Sequence, residues 1–204
     1  MSGYKSFYNR VVKRGIDVAL SVVGLPIFGV IYIVVAPRIK AEDHGPVFYK
    51  GERLGRNGKP FRMLKFRSML INAPDIRNAD GSTYNSEDDY RVTKIGKVLR
   101  KTSIDETPQL LNVFMGDMSW IGPRPDPLDD IDRYTKKQRI KLTVRPGITG
   151  YSQAYYRNEI EQDDKLNNDA FYATKVSFLL DLRIFFKTVG TVLGKKNIYN
   201  DVSK

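Results

Sequence analysis

Residues 103–109, SIDETPQ, place two neighbouring carboxylates at the predicted start of a helix. Thr107 suits the N-cap and Pro108 the first helical position, so Asp105 and Glu106 precede the helix N-terminus. The backbone dipole favours anions there and could support a phosphate or a metal beside the acid. Neighbouring residues of a regular helix do not face each other, so we expect one acid to attack and the other to assist.

A structural interpretation of the same run stays open. Ser103 followed three residues later by Glu106 has the spacing of a capping box, in which each residue satisfies a backbone N–H group of the other. On that interpretation both side chains have a purely structural role.

Four arginines stand beside proline, glycine or the boundary of a predicted element, where the backbone is held. They are Arg67, Arg100, Arg124 and Arg145. The forked donors of a guanidinium group suit phosphate oxygens. Any one of them alone is most simply a solvated surface charge, but the four together favour a diphosphate site.

Composition narrows the chemistry further. The 204 residues include no cysteine and a single histidine, His44. Thiolate zinc sites, iron–sulfur clusters, cysteine nucleophiles and multi-histidine metal sites are therefore excluded. The 34 Lys and Arg against 23 Asp and Glu give a net charge of +11, which predicts an anionic partner. The charge is scattered rather than arranged in a stripe, so we expect no nucleic-acid partner.

Residues 16–36 form an apolar run with one charge, Asp17, at its start. The run is about 31 Å long as a helix, enough to cross a bilayer. Pro26 lies near its middle and predicts a kink. Basic residues flank both ends, whereas a crossing helix carries them mainly on the cytoplasmic side. A helix that bends at Pro26 and leaves by the face it entered satisfies both observations, and a kinked single crossing stays open.

The remaining elements are predicted to be mostly helical, with a small β-hairpin. Asn57-Gly58 between two short apolar–polar runs predicts the hairpin turn. Helices are expected over residues 90–100, 107–116 and 130–142, and residues 72–89 are expected to form a mobile loop. Residues 177–196 suit a helix in the membrane interface or, alternatively, a core helix.

Over residues 13–193 the chain resembles the bacterial sugar transferase family, the small monotopic phosphoglycosyl transferases. The matching runs are KRGID, GPVFYKGERLGRNGKPF, MLKFRSM, LRKTSIDETPQLLNVFMGDMSWIGPRP and VRPGITGYSQ. Longer members add a multi-helix region ahead of this part, so we expect the minimal catalytic form here. One departure is Tyr156, which stands where members commonly have a glycine.

The resemblance implies a two-step reaction. Asp105 attacks the β-phosphorus of a UDP-sugar and releases UMP; a polyprenyl phosphate, expected to be undecaprenyl phosphate, then takes the phosphosugar. The resemblance also implies Mg²⁺ held with Asp105, a positioning or proton-handling role for Glu106, and phosphate contacts from residues in the matching motifs. Those residues are Lys65, Arg67, Arg100, Arg124 and Arg145.

The resemblance favours the re-entrant form of the Pro26 helix. We therefore expect residues 1–40 to form a re-entrant membrane helix with its flanks. Residues 41–204 should form a catalytic domain on the cytoplasmic face of the bacterial inner membrane, in contact with anionic lipids. The reaction would begin the assembly of a capsule, exopolysaccharide or glycoprotein glycan. The alternative is a basic, membrane-anchored scaffold without catalysis. The sugar, the pathway and the oligomeric state, including a homo-oligomer, stay open.

Overall fold

The computed structural model describes residues 3–78, 84, 86, 88–156 and 160–193, and for residues 192 and 193 the backbone only. Helices dominate, as predicted, and two small two-stranded sheets accompany them. The helices are α1 (Lys13–Asp43), α2 (Lys94–Thr102), α3 (Gln109–Met115), α4 (Tyr151–Tyr155), α5 (Gln162–Lys175) and α6 (Phe178–Leu193). The strands are β1 (Phe48–Leu54), β2 (Pro60–Phe66), β3 (Ser119–Ile121) and β4 (Gly147–Thr149).

The predicted hairpin is confirmed. Strands β1 and β2 pair antiparallel, from Phe48 opposite Phe66 to Leu54 opposite Pro60. Asn57 and Gly58 both have positive φ, 60° and 73°, as the central residues of a type I′ turn require. The second sheet pairs β3 with β4 in parallel.

Helix α1 lies along the rest of the protein over its whole length. Near its start the Arg14 guanidinium donates to the carbonyl oxygens at the end of α3. In its middle Phe28 packs on Phe66 of β2, with ring centroids 5.9 Å apart. At its end Asp43 forms an ion pair with Arg67. The helix continues through Pro26 and is preceded by a π-helical segment, Tyr8–Val12.

A buried polar network fixes the start of α1 to α5 and α6. The Asp181 carboxylate accepts hydrogen bonds from Lys13 Nζ at 2.6 Å, Tyr8 OH at 2.7 Å and Tyr172 OH at 2.6 Å. Asp17, the one charge of the apolar run, is also buried and accepts from Ser119 Oγ at 3.0 Å. Burying these charges is tolerated because each has a hydrogen-bonding partner.

Asn112 joins α3 to the edge of the hairpin. Its side chain is fully buried, accepts from the backbone N–H of Leu64 at 2.9 Å and donates to the carbonyl of Arg62 at 2.8 Å. The amide thus pairs with β2 as a neighbouring strand would. As a result α3 runs beside β2, with Lys65 near the start of α3 and Phe61 near its end.

Two predictions about local structure are wrong, and the open alternative of a capping box is not observed. Thr107 is not the N-cap of α3, because α3 begins at Gln109 with Pro108 as its N-cap, and the Thr107 hydroxyl donates to the Ile104 carbonyl at 2.8 Å. The capping box does not form, because Ser103 adopts a left-handed conformation that ends α2, and its side chain makes no capping bond. Residues 130–142 do not form one helix. They form two 3₁₀ segments, Leu128–Arg133 and Gln138–Thr143, because buried contacts of Tyr134 and Lys141 with Asp126 outweigh the local helical spacing.

Helix α6 exposes much of its apolar surface, together with the charged residues Arg183 and Lys187. Asp181 and Ile184 are buried, whereas Phe178, Leu179 and Phe186 are 52%, 64% and 65% exposed. The apolar side of α1 is exposed in the same way, with Ile33 at 72%. By length and composition the helix Tyr8–Asp43 is long and apolar enough to cross a membrane. These faces indicate association with a membrane.

Candidate active site

Asp105 lies in a 3₁₀ turn, Ile104–Glu106, between α2 and α3. The left-handed residue Ser103 ends α2 and redirects the chain, and Pro108 precedes the first residue of α3. The Asp105 side chain is buried and, within the described part of the chain, makes no hydrogen bond. Burial, together with the Glu106 charge, raises the pKa of Asp105, although Lys65, Arg100 and Arg124 oppose the shift.

Glu106 is held by two cations. Lys65 Nζ, from β2, lies 2.6 Å from its Oε1, and an Nη of Arg124 lies 3.4 Å from the same oxygen. Burial alone would raise the pKa of Glu106, but Lys65 and Arg124 outweigh it and lower that pKa to about 2. The two neighbouring acids therefore differ: Glu106 is fixed as a paired carboxylate, whereas Asp105 has no hydrogen-bond partner among the residues that the structure describes.

Arg100 reaches the same site from the last turn of α2. Its Nε donates to Ser68 Oγ at 3.1 Å, and its charge acts on the pKa of Asp105. The structure thus brings Asp105 and Glu106 together with Lys65, Arg100 and Arg124, all of which the sequence singled out.

The segment that carries Arg124 is anchored by residues that the sequence analysis missed. Asp126, two residues on, accepts from Lys141 Nζ at 2.6 Å and from the Tyr134 hydroxyl at 2.5 Å. Asp169 of α5 also lies 2.7 Å from Lys141 Nζ. Both acids stand far from Lys141 in sequence, so no local spacing could have revealed the group. Its effect is to fix the backbone beside Arg124.

The other two predicted phosphate-binding arginines lie elsewhere. Arg67 is buried and forms an ion pair with Asp43, while its Nε donates to the Pro46 carbonyl at 2.7 Å. Arg145 donates from its Nε to the carbonyl of Gly116 at 2.9 Å, at the opposite end of α3 from Asp105. Both guanidinium groups bind the protein's own oxygens, and neither is among the cations that act on the pKa of Asp105.

The donors around Asp105 fit a magnesium ion only if the substrate supplies further ligands. Within the described residues, no group of three or more Asp, Glu and His side chains could hold a metal by itself. The Asp105 carboxylate makes no hydrogen bond to any described residue and can serve as one ligand. Mg²⁺ is commonly bound by one or two carboxylates together with phosphate oxygens and waters, so this set fits it.

Two predicted features fall wholly or partly outside the described residues. In the expected loop, residues 72–89, positions 79–83, 85 and 87 are not described. Its ends are tied by Arg91, which pairs with Asp89 and donates to the Pro74 carbonyl. Tyr156, at the site of the family glycine, ends α4 and is followed by the undescribed residues 157–159.

Asp105 and Glu106 lie among three cations, and α1 and α6 expose apolar side chains. These features define a membrane-associated protein with a site for anions. The family model for bacterial sugar transferases matches residues 8–195. The chain belongs to this family.

Individual relatives agree. The chain is 40% identical over 201 residues to the galactosyl transferase CpsE of Streptococcus agalactiae, covering 95% of this chain and 44% of that protein. It is 39% identical over 188 residues to the UDP-N-acetylgalactosamine-undecaprenyl-phosphate N-acetylgalactosaminephosphotransferase of Aeromonas hydrophila, covering 89% and 44%. It is 40% identical to the uncharacterized sugar transferase EpsL of Bacillus subtilis, covering 92% and 90%. The chain thus spans less than half of the first two relatives and most of the third.

Proposed function

We propose that the protein is a phosphoglycosyl transferase that moves a sugar 1-phosphate from a UDP-sugar to a polyprenyl phosphate. The observation that carries the proposal is the pair Asp105 and Glu106 within a group of three cations. Relatives named as undecaprenyl-phosphate sugar phosphotransferases support the donor and acceptor classes. Another relative is named as an exopolysaccharide production protein, which supports a role in exopolysaccharide synthesis.

In the first step a carboxylate oxygen of Asp105 attacks the β-phosphorus of the UDP-sugar. A bond forms between that oxygen and phosphorus, the bond from the β-phosphorus to the bridging oxygen breaks, and UMP leaves with the electron pair. Carboxylate nucleophiles form acyl phosphates in other phosphoryl transfers. Asp105 suits the role because its carboxyl makes no hydrogen bond to the described residues that attack would have to break.

In the second step an oxygen of the polyprenyl phosphate attacks the same phosphorus. The bond to Asp105 breaks, its carboxylate is restored, and the product is a polyprenyl diphosphate sugar. No net proton is transferred when both nucleophiles are ionised. The low pKa of Glu106, about 2, therefore supports a positioning role for that carboxylate rather than proton transfer. Glu106 holds Lys65 and Arg124 where phosphate oxygens would bind.

Asp105 is the residue that would hold Mg²⁺ together with the diphosphate. When bound, the ion would supply positive charge that offsets the negative charge of the phosphate oxygens. Lys65, Arg100 and Arg124 supply charge of the same sign from the protein, so they orient the diphosphate against the Asp105 carboxylate.

For the membrane arrangement we propose that α1 bends at Pro26 and keeps both ends on the cytoplasmic face of the inner membrane. The support comes from contacts at its two ends: Arg14 bonds to α3 at the start, and Asp43 bonds to Arg67 at the end. A helix crossing to the far side would separate one of these ends from the domain that both contact.

The test is a reaction of the detergent-solubilised protein with a panel of UDP-sugars and Mg²⁺, without acceptor. We expect UMP in an amount no larger than the enzyme, and a phosphosugar adduct on Asp105 detected by mass spectrometry. The Asp105→Asn variant should release no UMP under conditions that exclude deamidation. UMP that appears only when a polyprenyl phosphate is added, with no adduct, would contradict the covalent step.

A further inference from the structure

A second group of arginines lies at the C-terminal end of α3. Arg14 of α1 donates to the carbonyls of Val113 and Phe114 at 2.6 and 2.9 Å, and its Nη2 lies 3.3 Å from the position that a Cβ on Gly116 would take. Arg145 donates from Nε to the Gly116 carbonyl. Both side chains thus converge on Gly116, whose φ of +100° ends the helix.

Arg56 lies in the turn between β1 and β2. Its neighbour Gly55 lines the same small cavity as Val144 and Pro146, the residues on either side of Arg145. The Arg56 Nε is buried and has no hydrogen-bond partner in the described part of the chain. Burial lowers the pKa of Arg145, and the charges of Arg56 and Arg14 lower it further. We call Arg14, Arg56 and Arg145 the α3-end cluster.

Several guanidinium N–H donors of the α3-end cluster have no acceptor among the described residues. None of the three arginines forms an ion pair with a described acidic residue. Asp17 acts on the pKa of Arg145, but its carboxylate is already bonded to Ser119 and Trp120. The Nη groups of Arg145 likewise have no described partner. Like charges held together without an ion-pair partner among the described residues indicate a site for an anion.

The cluster is separate from the Asp105 site. Gly116 follows the last residue of α3 and Asp105 precedes its start, so the length of the helix, about 10 Å, lies between them. The hairpin also separates the two sites. Lys65, near the end of β2, forms an ion pair with Glu106, whereas Arg56 lies in the turn before the start of β2. A phosphate group at the α3-end cluster is therefore out of contact with Asp105.

The surroundings of the cluster indicate a lipid as the source of the anion. Phe114 and Met115, directly before Gly116, are 44% and 61% exposed, and Val11 of the segment before α1 is 54% exposed. Arg14 bonds to the Phe114 carbonyl itself, so guanidinium groups and exposed apolar side chains lie side by side. A lipid with a phosphate headgroup above its acyl chains matches that order.

We propose that Arg14, Arg56 and Arg145 bind the phosphate of an anionic membrane phospholipid, whose acyl chains pack against Phe114 and Met115. The proposal rests on the membrane-bound orientation given above and does not depend on catalysis. The bound lipid would fix the end of α3 and hence the distance between the Asp105 site and the membrane surface.

The test measures thermal unfolding of the protein in neutral detergent while phosphatidylglycerol is added. The variant is Arg56→Gln, which removes a side chain with no described hydrogen bond to the protein and so should fold. The matched control is Lys59→Gln, in the same turn and exposed, with the same loss of charge. Wild type, Lys59→Gln and Asp105→Asn should be stabilised at the same lipid concentration. Arg56→Gln should need about tenfold more lipid for the same stabilisation, which corresponds to about 1.4 kcal/mol of binding free energy. Arg56→Lys should need an intermediate amount.

Three outcomes would overturn the proposal. In the first, Arg56→Gln responds to phosphatidylglycerol as Lys59→Gln does. In the second, phosphatidylcholine stabilises wild type as well as the anionic lipid does. In the third, inorganic phosphate without lipid stabilises it equally, which would make the ligand a soluble phosphate. The readout is binding, so a failure to detect UMP release would bear on the transferase proposal alone.

Discussion

Two adjacent carboxylates, Asp105 and Glu106, acquire opposite properties from their surroundings. Glu106 shares one oxygen between Lys65 and Arg124, which keeps it ionised. Asp105 is buried with no described hydrogen bond, which raises its pKa and leaves its oxygens available. A buried carboxylate of raised pKa next to a fixed partner is a cost that active sites commonly bear, since such sites are held at the expense of stability.

Substitution of the two acids should therefore change stability in opposite directions. Because the folded pKa of Asp105 is raised, its ionised form destabilises the folded state at pH values above that pKa. Asp105→Asn should raise the Tm by a few degrees at pH 7, given that about 1 kcal/mol moves the Tm of a chain this long by about 2–4 °C. Glu106→Gln should lower it, because Lys65 and Arg124 lose their partner. Scanning calorimetry in detergent measures both.

The pH dependence of these differences is the control. The gain from Asp105→Asn should fade as the pH falls from the folded pKa of Asp105 to 3.8, its ordinary value. The loss from Glu106→Gln should fade as the pH falls from about 4.5 to about 2, the ordinary and folded pKa values of Glu106. A Tm of Asp105→Asn below that of wild type at neutral pH would contradict the account of Asp105.

The rate of UMP release should also report the raised pKa of Asp105. Only the ionised carboxylate attacks, so the single-turnover rate should fall on the acid side with a midpoint above 3.8, the ordinary value. Lys65→Gln should move that midpoint higher, because Lys65 is the charge that most lowers the pKa of Asp105. Rapid-quench measurements across pH test this, and a midpoint at or below 3.8 would argue against Asp105 as the nucleophile.

At the scale of elements, a few buried polar contacts fix the site. Asn112 joins α3 to β2, so the helix start that follows Asp105 is held against the strand that carries Lys65. Asp126 holds the segment beside Arg124 through Lys141. The site is therefore assembled from α2, β2, the turn before α3 and the loop after β3, and buried polar contacts fix two of its contacts: α3 against β2, and the segment of Arg124 against Lys141.

The arrangement of α1 in the membrane gives a prediction at this scale. The chain has no cysteine, so single reporters can be placed at Lys5 and Lys40, both exposed. If both ends lie on the cytoplasmic face, a membrane-impermeant maleimide should label neither in intact cells and both in inverted vesicles. Pro26→Ala should shift part of the protein toward crossing, because the lost bend favours a straight helix. Labelling of the two wild-type positions from opposite faces would contradict the re-entrant arrangement.

At the scale of the molecule, large apolar side chains of α1 and α6 are exposed, whereas the acidic side chains Asp17 and Asp181 are buried. The Lys13–Asp181 pair lies inside, whereas Leu179 and Phe186 face out. Water-soluble proteins rarely leave apolar faces of this kind in contact with water. The membrane therefore acts as the solvent for one side of the protein.

This orientation predicts how deep α6 lies. A fluorophore on a cysteine at Leu179 or Phe186 should be quenched by lipids that carry nitroxides on their acyl chains. The same fluorophore at Asp163, an exposed residue of α5, should be quenched several-fold less. Burying a leucine or phenylalanine side chain in the acyl region is worth about 2 kcal/mol, which holds the helix there. Equal quenching at the three positions would contradict an interfacial α6.

The sequence by itself was enough for features that depend on neighbouring residues. It predicted the hairpin turn at Asn57-Gly58, the end of α3 at Gly116 and the apolar run within α1, because turn geometry and hydrophobic length are local properties. It also selected Asp105 and Glu106, since their types and their place before a helix are read along the chain.

Only the tertiary structure decided which cations surround the acid pair. Arg67 and Arg145 stand in motifs as suggestive as that of Arg124, yet Arg67 binds Asp43 and Arg145 binds the Gly116 carbonyl. The partners are 24 and 29 residues away in sequence, and such pairings depend on how elements pack rather than on spacing. For the same reason residues 130–142 lost their predicted helix to the buried Asp126–Lys141 contact.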